Sequence, residues 1–257
     1  MLEDSVLALA KRMVAFGRTV FFTGAGISTE SGIPDFRSPG GVWSTYKPIH
    51  FSDFMASGDA REEYWKQKLA FSEVLRDAKP NPAHLAIVKF FELGLVNAVI
   101  TQNIDGMHQA AGMPEEDVIE LHGNGRRVRC MSCGKVSALE EAFERIRAGE
   151  PAPDCPCGGY LKPDTISFGQ AMPEREVSSA IDLARKADCF VVVGSTLVVQ
   201  PAASIPLYAL DAGAYLAIIN LTETPLDEMS HLIIRGKAGT VLDMLADAVE
   251  KTLRTRR

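Results

Sequence analysis

The chain has 257 residues, 46% of them hydrophobic, with 27 Lys and Arg against 33 Asp and Glu for a formal net charge of -6. That length buries one full core or one core with a small satellite, and the mean hydropathy of +0.02 is that of a globular chain. The acidic balance offers no global attraction to nucleic acid or anionic lipid, and no stretch reaches the roughly 20 apolar residues of a membrane span.

In chain order, MLEDSVLALAKRMVAF reads as an amphipathic helix with an acidic start rather than a signal peptide, which predicts a cytoplasmic protein. Six β-branched apolar runs follow: VFF (20–22), NAVIT (97–101), DVIEL (117–121), CFVVVG (189–194), YLAIIN (215–220) and HLIIR (231–235). Continuous runs of this kind suit strands buried on both faces of a parallel sheet. Helical patterns lie between them at 81–94, 173–187, 201–213 and 238–257, which is the order of βαβ winding. Residues 38–80 read as a loop followed by a helix, with no strand, and residues 126–160 carry four of the five cysteines. In such sheets ligands collect at the carboxyl ends of the strands, so the residues after each run are the candidates for a site.

After the first run comes Gly24-Ala25-Gly26-Ile27, whose glycines let backbone N–H groups approach a pyrophosphate. The G-x-G-x-x-G pattern is incomplete, because Thr29 stands at the third glycine position, and a tight structural turn explains the glycines equally well. Pro34 then ends any helix and starts a loop carrying Asp35, Phe36 and Arg37, either a cover over a cofactor or a solvated surface loop. After the second run, Gln102, Asn103 and Asp105 crowd three short polar groups where a carboxamide or ribose hydroxyl could be held. His122 closes the third run beside Gly123 and is the best placed of the five histidines for proton transfer, whereas His50, His84, His108 and His231 read as structural. Gly194 and Ser195 and Asn220 close later strands, and Lys237 and Ala238 precede the last helix, a pattern that would suit an extended dinucleotide across the sheet edge.

Cys130 and Cys133 form a C-x-x-C-G knuckle, and Cys155 and Cys157 form a C-x-C pair 21 intervening positions later. Two close thiolate pairs suit a tetrahedral zinc ion, the alternative being an accessible redox pair. With four sulfur ligands the metal has no open position and is structural. Cys189, inside an apolar run, reads as a small hydrophobe.

These motifs, GAGIS with SGIPDFR, TQNID, LHG, the two cysteine pairs, SFGQ, the Gly-Ser at 194 and the late Asn220, resemble the sirtuin family of NAD-dependent protein-lysine deacylases in order and over nearly the whole chain. The resemblance implies a Rossmann-like NAD-binding domain assembled from 1–37, 81–125 and 161–257, with a cofactor loop and helical module at 38–80 and a zinc-binding module at 126–160. It further implies that the acyl-lysine carbonyl oxygen attacks the ribose carbon bearing nicotinamide, and that a histidine draws a proton from the ribose so that the acyl group passes to ADP-ribose. That histidine matches His122. Asn103 and Asp105 match the residues orienting the nicotinamide ribose and carboxamide, Gln102 lies in the same site, and Phe36 shields the reaction centre. The peptide is expected to add as a strand between Phe168-Gly169-Gln170 and Leu197-Val198-Val199. The family more often has Glu where this chain has Gln170, which removes a charge that favours basic flanking residues.

Members that take acidic acyl groups carry a Tyr-x-x-Arg pair in the helical module. Here Tyr64 is followed by Gln67, so a neutral acyl group, acetyl first, is expected. The expected partners are acylated-lysine proteins or peptides, with no nucleic acid or membrane and a monomeric state. Two other readings stand beside this one: a protein ADP-ribosyltransferase using the same NAD site, and a non-catalytic zinc-ribbon binding protein.

Overall fold

The computed structural model describes residues 2–256; Met1 and Arg257, at the ends of the terminal helical patterns, lie outside the described residues. The chain runs through β1 (Thr19–Thr23), β2 (Val96–Thr101) and β3 (Val118–Glu120), then β4 (Gly123–Cys130), β5 (Val136–Ala138) and β6 (Leu161–Thr165), and returns with β7 (Cys189–Val193), β8 (Tyr215–Ile219) and β9 (Leu232–Ile234). The six apolar runs all become strands of one sheet. Its order is β3-β2-β1-β7-β8-β9, and every adjacent pair is parallel. All five residues of β1 and of β7 are buried, as two-sided cover demands.

The helices are α1 (Leu2–Phe16), α2 (Val42–Thr45), α3 (Phe51–Ala56), α4 (Gly58–Arg76), α5 (Pro82–Glu92), α6 (Met107–Ala111), α7 (Leu139–Arg147), α8 (Glu174–Lys186), α9 (Ile205–Asp211) and α10 (Ala238–Arg256). Strand residues alternate between two cores. Phe21, Val99 and Val191 join Leu9 of α1, Ile87 of α5 and Leu242 of α10 on one face, while Phe22, Ile100 and Val192 join Ala184 of α8 and Ala209 of α9 on the other. Phe21 stacks on Phe90 and Phe22 leans on Phe190, both with ring centroids 6.0 Å apart. α5 starts cleanly because Asn81 caps the Ala83 N–H and Pro82 occupies the first turn.

β4 pairs antiparallel with β5 and β6 in a second, three-stranded sheet. Its core is small: Val128, Phe143, Leu161 and the cysteines Cys130 and Cys155, closed by Trp65 from α4, whose ring meets Phe143 edge-on at 6.2 Å. This sheet extends from 123 to 165, so its first strand follows His122 directly and its last leads into Ile166–Gln170. No helix among the described residues is long and apolar enough to cross a membrane.

Candidate active site

The sheet order reverses between β1 and β7, and a cleft of about 470 Å³ opens over that point. The strand ends there are laced by backbone bonds. Gly24 donates to the Val193 carbonyl at 3.0 Å, Gly26 to Gly194 at 2.9 Å and Gly194 to Ile219 at 3.0 Å. The glycines serve this close approach. A Cβ on Gly24 would sit 2.7 Å from the Gly194 oxygen, and Gly194 itself has φ +63°, with any Cβ driven into the Ile27 backbone nitrogen. Gly194→Ala is therefore expected to cost more than about 2 kcal/mol and to abolish cofactor binding, read by thermal melting and NAD titration. An alanine variant with wild-type affinity would show that the two loops separate freely.

Gly24, Ala25, Gly26, Asp35, Phe36 and Arg37 line one wall, Gln102, Asn103 and His122 the floor, and Gly194, Ser195, Asn220, Lys237 and Ala238 the far end. Ile27 is instead fully buried in the sheet core. The Asp35 carboxylate accepts from the N–H groups of Arg37 (2.9 Å) and Ser38 (2.7 Å) and from the Ser38 hydroxyl, so it fixes the loop that presents Phe36. Burial works against its ionisation, but the Ser38 and Arg37 donors outweigh this and hold the carboxyl below its ordinary range.

His122 is held in one tautomer. Its Nδ1–H donates to the Gln102 carbonyl at 3.0 Å, which leaves Nε2 as the lone-pair nitrogen at the cleft. Burial pushes its pKa below 6.5, with the Gln102 bond opposing, so the ring is neutral at pH 7. Gln102 also donates to the Ser195 hydroxyl at 2.8 Å, tying the ends of β2 and β7 together.

Behind the floor lies a buried polar network with Ser28 at its centre, a residue that sequence reasoning did not single out. Ser28 is 1% exposed. Its hydroxyl donates to Asp105 Oδ2 at 2.7 Å and accepts from the Asn103 side-chain amide at 3.3 Å, while His84 Nε2 lies 3.5 Å away. His84 Nδ1 accepts the Asn81 N–H, so Nε2 carries the proton toward Ser28. Burial lowers the His84 pKa to about 4, against the pull of Asp105. The other Asp105 oxygen accepts the Met107 N–H at 2.9 Å, and Asp105 does not line the main cleft. Its position one residue past the GAGI turn was the available signal for Ser28.

Phe168, Gly169 and Gln170 line the cleft opposite Val199. Leu197 is 3% exposed in the core and Val198 is 52% exposed; neither lines the cleft. Among the described residues no backbone hydrogen bond joins 166–170 to 196–199, so the two segments face each other with room for a strand between them.

From α4, Tyr64, Gln67 and Lys68 also line the cleft. Burial opposes ionisation of Tyr64, but the Lys68 and Lys162 ammonium groups and the Ser167 and Thr165 hydroxyls overcome it, bringing the phenol down to about 7. Lys162 is fully buried, its Nζ donating to the carbonyls of Pro163 and Thr165. A second cavity, of about 430 Å³, lies between α4 and α7 and shares Lys68, Ile104 and Thr165 with the first.

The four cysteine sulfurs lie within 4.8 Å of one another, with Cys130–Cys157 at 3.6 Å and Cys133–Cys155 at 3.8 Å. A tetrahedron with metal–sulfur bonds of about 2.3 Å has edges of about 3.8 Å, so the cluster fits zinc. The C-x-C spacing is no obstacle, because Gly158 at φ +82° turns the chain just after the pair. Cys130 Sγ accepts the Cys133 and Ser132 N–H groups at 3.4 Å, which draw its pKa down to about 6 and favour the thiolate a metal needs. Cys189 lies apart in β7, pushed up to about 12 by burial, and stays a neutral thiol.

A doubly wound sheet with a glycine-laced cleft at its switch point, and a four-cysteine ribbon inserted beside it, defines a Rossmann-type nucleotide-binding protein with a structural zinc module. A sequence model of the Sir2 family matches residues 24–201. The chain belongs to the Sir2 family. It is 48% identical over 232 residues to NAD-dependent protein deacetylase 1 of Bradyrhizobium diazoefficiens, covering 90% of this chain and 91% of that one. It is 46% identical over 242 residues to an NAD-dependent protein deacetylase of Rhodopseudomonas palustris, covering 94% and 96%. A solved structure of Sir2 with a p53 peptide and NAD+ superposes with a TM-score of 0.81 at 36% identity, covering 96% of this chain and 95% of that one.

Proposed function

We propose that this protein uses NAD and one water to remove acetyl or other neutral acyl groups from protein lysines, releasing the free lysine, nicotinamide and the O-acyl ester of ADP-ribose. The observation that carries the proposal is His122, neutral and tautomer-fixed, with Nε2 presented to a cleft that also holds the Gly24–Gly26 turn and Gln102–Asn103. Its relatives named as NAD-dependent protein deacetylases support the same chemistry. Bound NAD supplies an electrophilic ribose carbon with nicotinamide as its leaving group.

The residues divide the remaining work. His122 Nε2 accepts a proton from the ribose hydroxyl. Asn103 orients the nicotinamide ribose, and Asp105, bound to Ser28 rather than open to the cleft, acts as a positioning residue through that hydroxyl. Phe36 shields the ribose carbon once nicotinamide departs, while Gly194, Ser195, Asn220, Lys237 and Ala238 receive the adenosine end. The substrate peptide lies between 168–170 and the Val199 segment. Zinc, held by Cys130, Cys133, Cys155 and Cys157, shapes the small module. We further place the protein in the cytoplasm as a monomer acting on protein substrates, a reducing compartment favouring the four-cysteine cluster as a metal site over disulfides.

Incubation with NAD and an acetyl-lysine peptide, followed by mass spectrometry, is expected to yield free nicotinamide, deacetylated peptide and O-acetyl-ADP-ribose. Nicotinamide release with the acyl-lysine intact and ADP-ribose on protein would overturn the deacylase reading in favour of ADP-ribosyl transfer.

The acyl preference follows from α4. The Lys68 and Lys162 charges already serve the Tyr64 phenol, and Gln67 brings no guanidinium fork to a distal carboxylate. An acidic acyl group would enter beside a buried phenol, with no guanidinium from α4 in the cleft to pair its carboxylate, at a desolvation cost of a few kcal/mol. The expected kcat/KM is at least about tenfold higher on acetyl-lysine than on succinyl-lysine in matched peptides. A succinyl preference would mean that Lys68 leaves Tyr64 to hold the carboxylate.

A further inference from the structure

We propose that Trp43 is a positioning residue that couples the cofactor end of the cleft to the peptide end, so that each substrate tightens the other; this rests on the deacylase reading above. Trp43 stands at the start of α2, on the loop that follows Asp35–Arg37. Its ring meets Phe36 at 5.6 Å and Phe168 at 5.5 Å, tilted by 50° and 51°. The Arg37 guanidinium lies 4.2 Å from its ring centroid, and the outer side of Phe168 meets His50 at 6.0 Å. Phe36, Trp43 and Phe168 all line the cleft.

These contacts bridge two segments at the two ends of the cleft. Residues 35–38 follow β1 and cover the nicotinamide side, whereas 166–170 follow β6 and offer an edge to the peptide. Among the described residues no hydrogen bond or ring contact links the two segments directly. The backbone fastens Trp43 to the first segment, its N–H donating to the Phe36 carbonyl at 3.1 Å, while the second is held by the start of α3, where Phe51 N–H donates to the Phe168 carbonyl at 2.9 Å. A cofactor that sets Phe36 therefore sets the indole, and the indole sets Phe168. Coupling of this kind is reciprocal: the factor by which the peptide raises cofactor affinity equals the factor by which the cofactor raises peptide affinity.

Dissociation constants should be measured for carba-NAD, an analogue that keeps its nicotinamide, with and without saturating acetyl-lysine peptide. In the wild type the peptide is expected to tighten carba-NAD at least about fivefold, within the usual span of coupling between sites. Trp43→Ala should bring that factor to within about twofold of unity while leaving carba-NAD affinity alone nearly unchanged, and Trp43→Phe, which keeps a ring between Phe36 and Phe168, should restore it. A wild-type factor of one overturns the proposal. So does a Trp43→Ala variant that keeps the full factor, or one that weakens both ligands with the factor unchanged, since that marks Trp43 as packing only. Nicotinamide release accompanied by deacetylation of the peptide by the wild type separates the two ideas. Its absence sinks the deacylase reading and the coupling with it, whereas its presence beside an unchanged factor sinks the coupling alone.

Discussion

His122→Ala is expected to lower turnover of acetyl-lysine peptide by at least about a hundredfold, the lower end of what a positioned general base contributes. NAD affinity should stay close to that of the wild type, because the imidazole accepts a proton through Nε2 while its hydrogen bond from Nδ1 goes to the Gln102 carbonyl, outside the phosphate-binding turn. The same geometry sets the pH dependence. A base works in its neutral form, and burial lowers the His122 pKa beneath 6.5, so kcat/KM should be flat near neutrality and fall only as the pH drops through a midpoint below about 6.5. Turnover by His122→Ala at more than about a tenth of the wild-type rate, with both substrates saturating, would remove the residue from this role.

Cys130→Ala or Cys155→Ala is expected to lose zinc and to unfold the small module. Its core, Val128, Phe143 and Leu161 with Trp65 behind them, is too small to hold three strands and a helix without the ion. Ligation of zinc by four thiolates supplies on the order of 10 kcal/mol to segments of this kind. Metal analysis should find one zinc per wild-type chain and almost none in either variant, and the melting temperature should fall by on the order of 10 °C. Activity should fall with it, because β4 begins one residue after His122 and Ile166 N–H holds the His122 carbonyl at 2.9 Å. A wild-type protein purified without zinc, yet folded in this region, would overturn the assignment.

The large sheet was legible in the sequence because its central strands are buried on both faces and even its edge strands are apolar β-branched runs. The small sheet was not. β4 reads Gly-Asn-Gly-Arg-Arg-Val-Arg-Cys, with Arg126, Arg127 and Arg129 exposed and only Asn124, Val128 and Cys130 buried, and β6 contains both Lys162 and Pro163. A lysine in a strand gives no sign of full burial; its three-dimensional neighbours, the Thr165 carbonyl and the Tyr64 ring, make that position tenable. The same limit applied to the site. Strand-end residues such as Gln102, Asn103 and His122 could be picked out singly, since each ends a visible run. Ser28 had only its place after the GAGI turn to mark it, because its importance lies in meeting His84, Asn103 and Asp105 at one point. Trp43 could not be picked out, since it looks like one more aromatic in a loop until Phe36 and Phe168 are seen on either side of it.

The central pair of the sheet has a consequence for the order of folding. β1 and β7 pair in register, Thr19 with Cys189, across a separation of 170 residues that includes the whole four-cysteine ribbon. Pairings so distant in the chain close late, since the entropy of the intervening loop is lost before any contact rewards it. The phosphate-binding turn and Gly194 meet only when that pair is made, so no intermediate lacking it owns a cofactor site. NAD added to a refolding chain therefore has no partial structure to grip. It stabilises the finished protein by mass action and leaves the nucleation steps at their own pace.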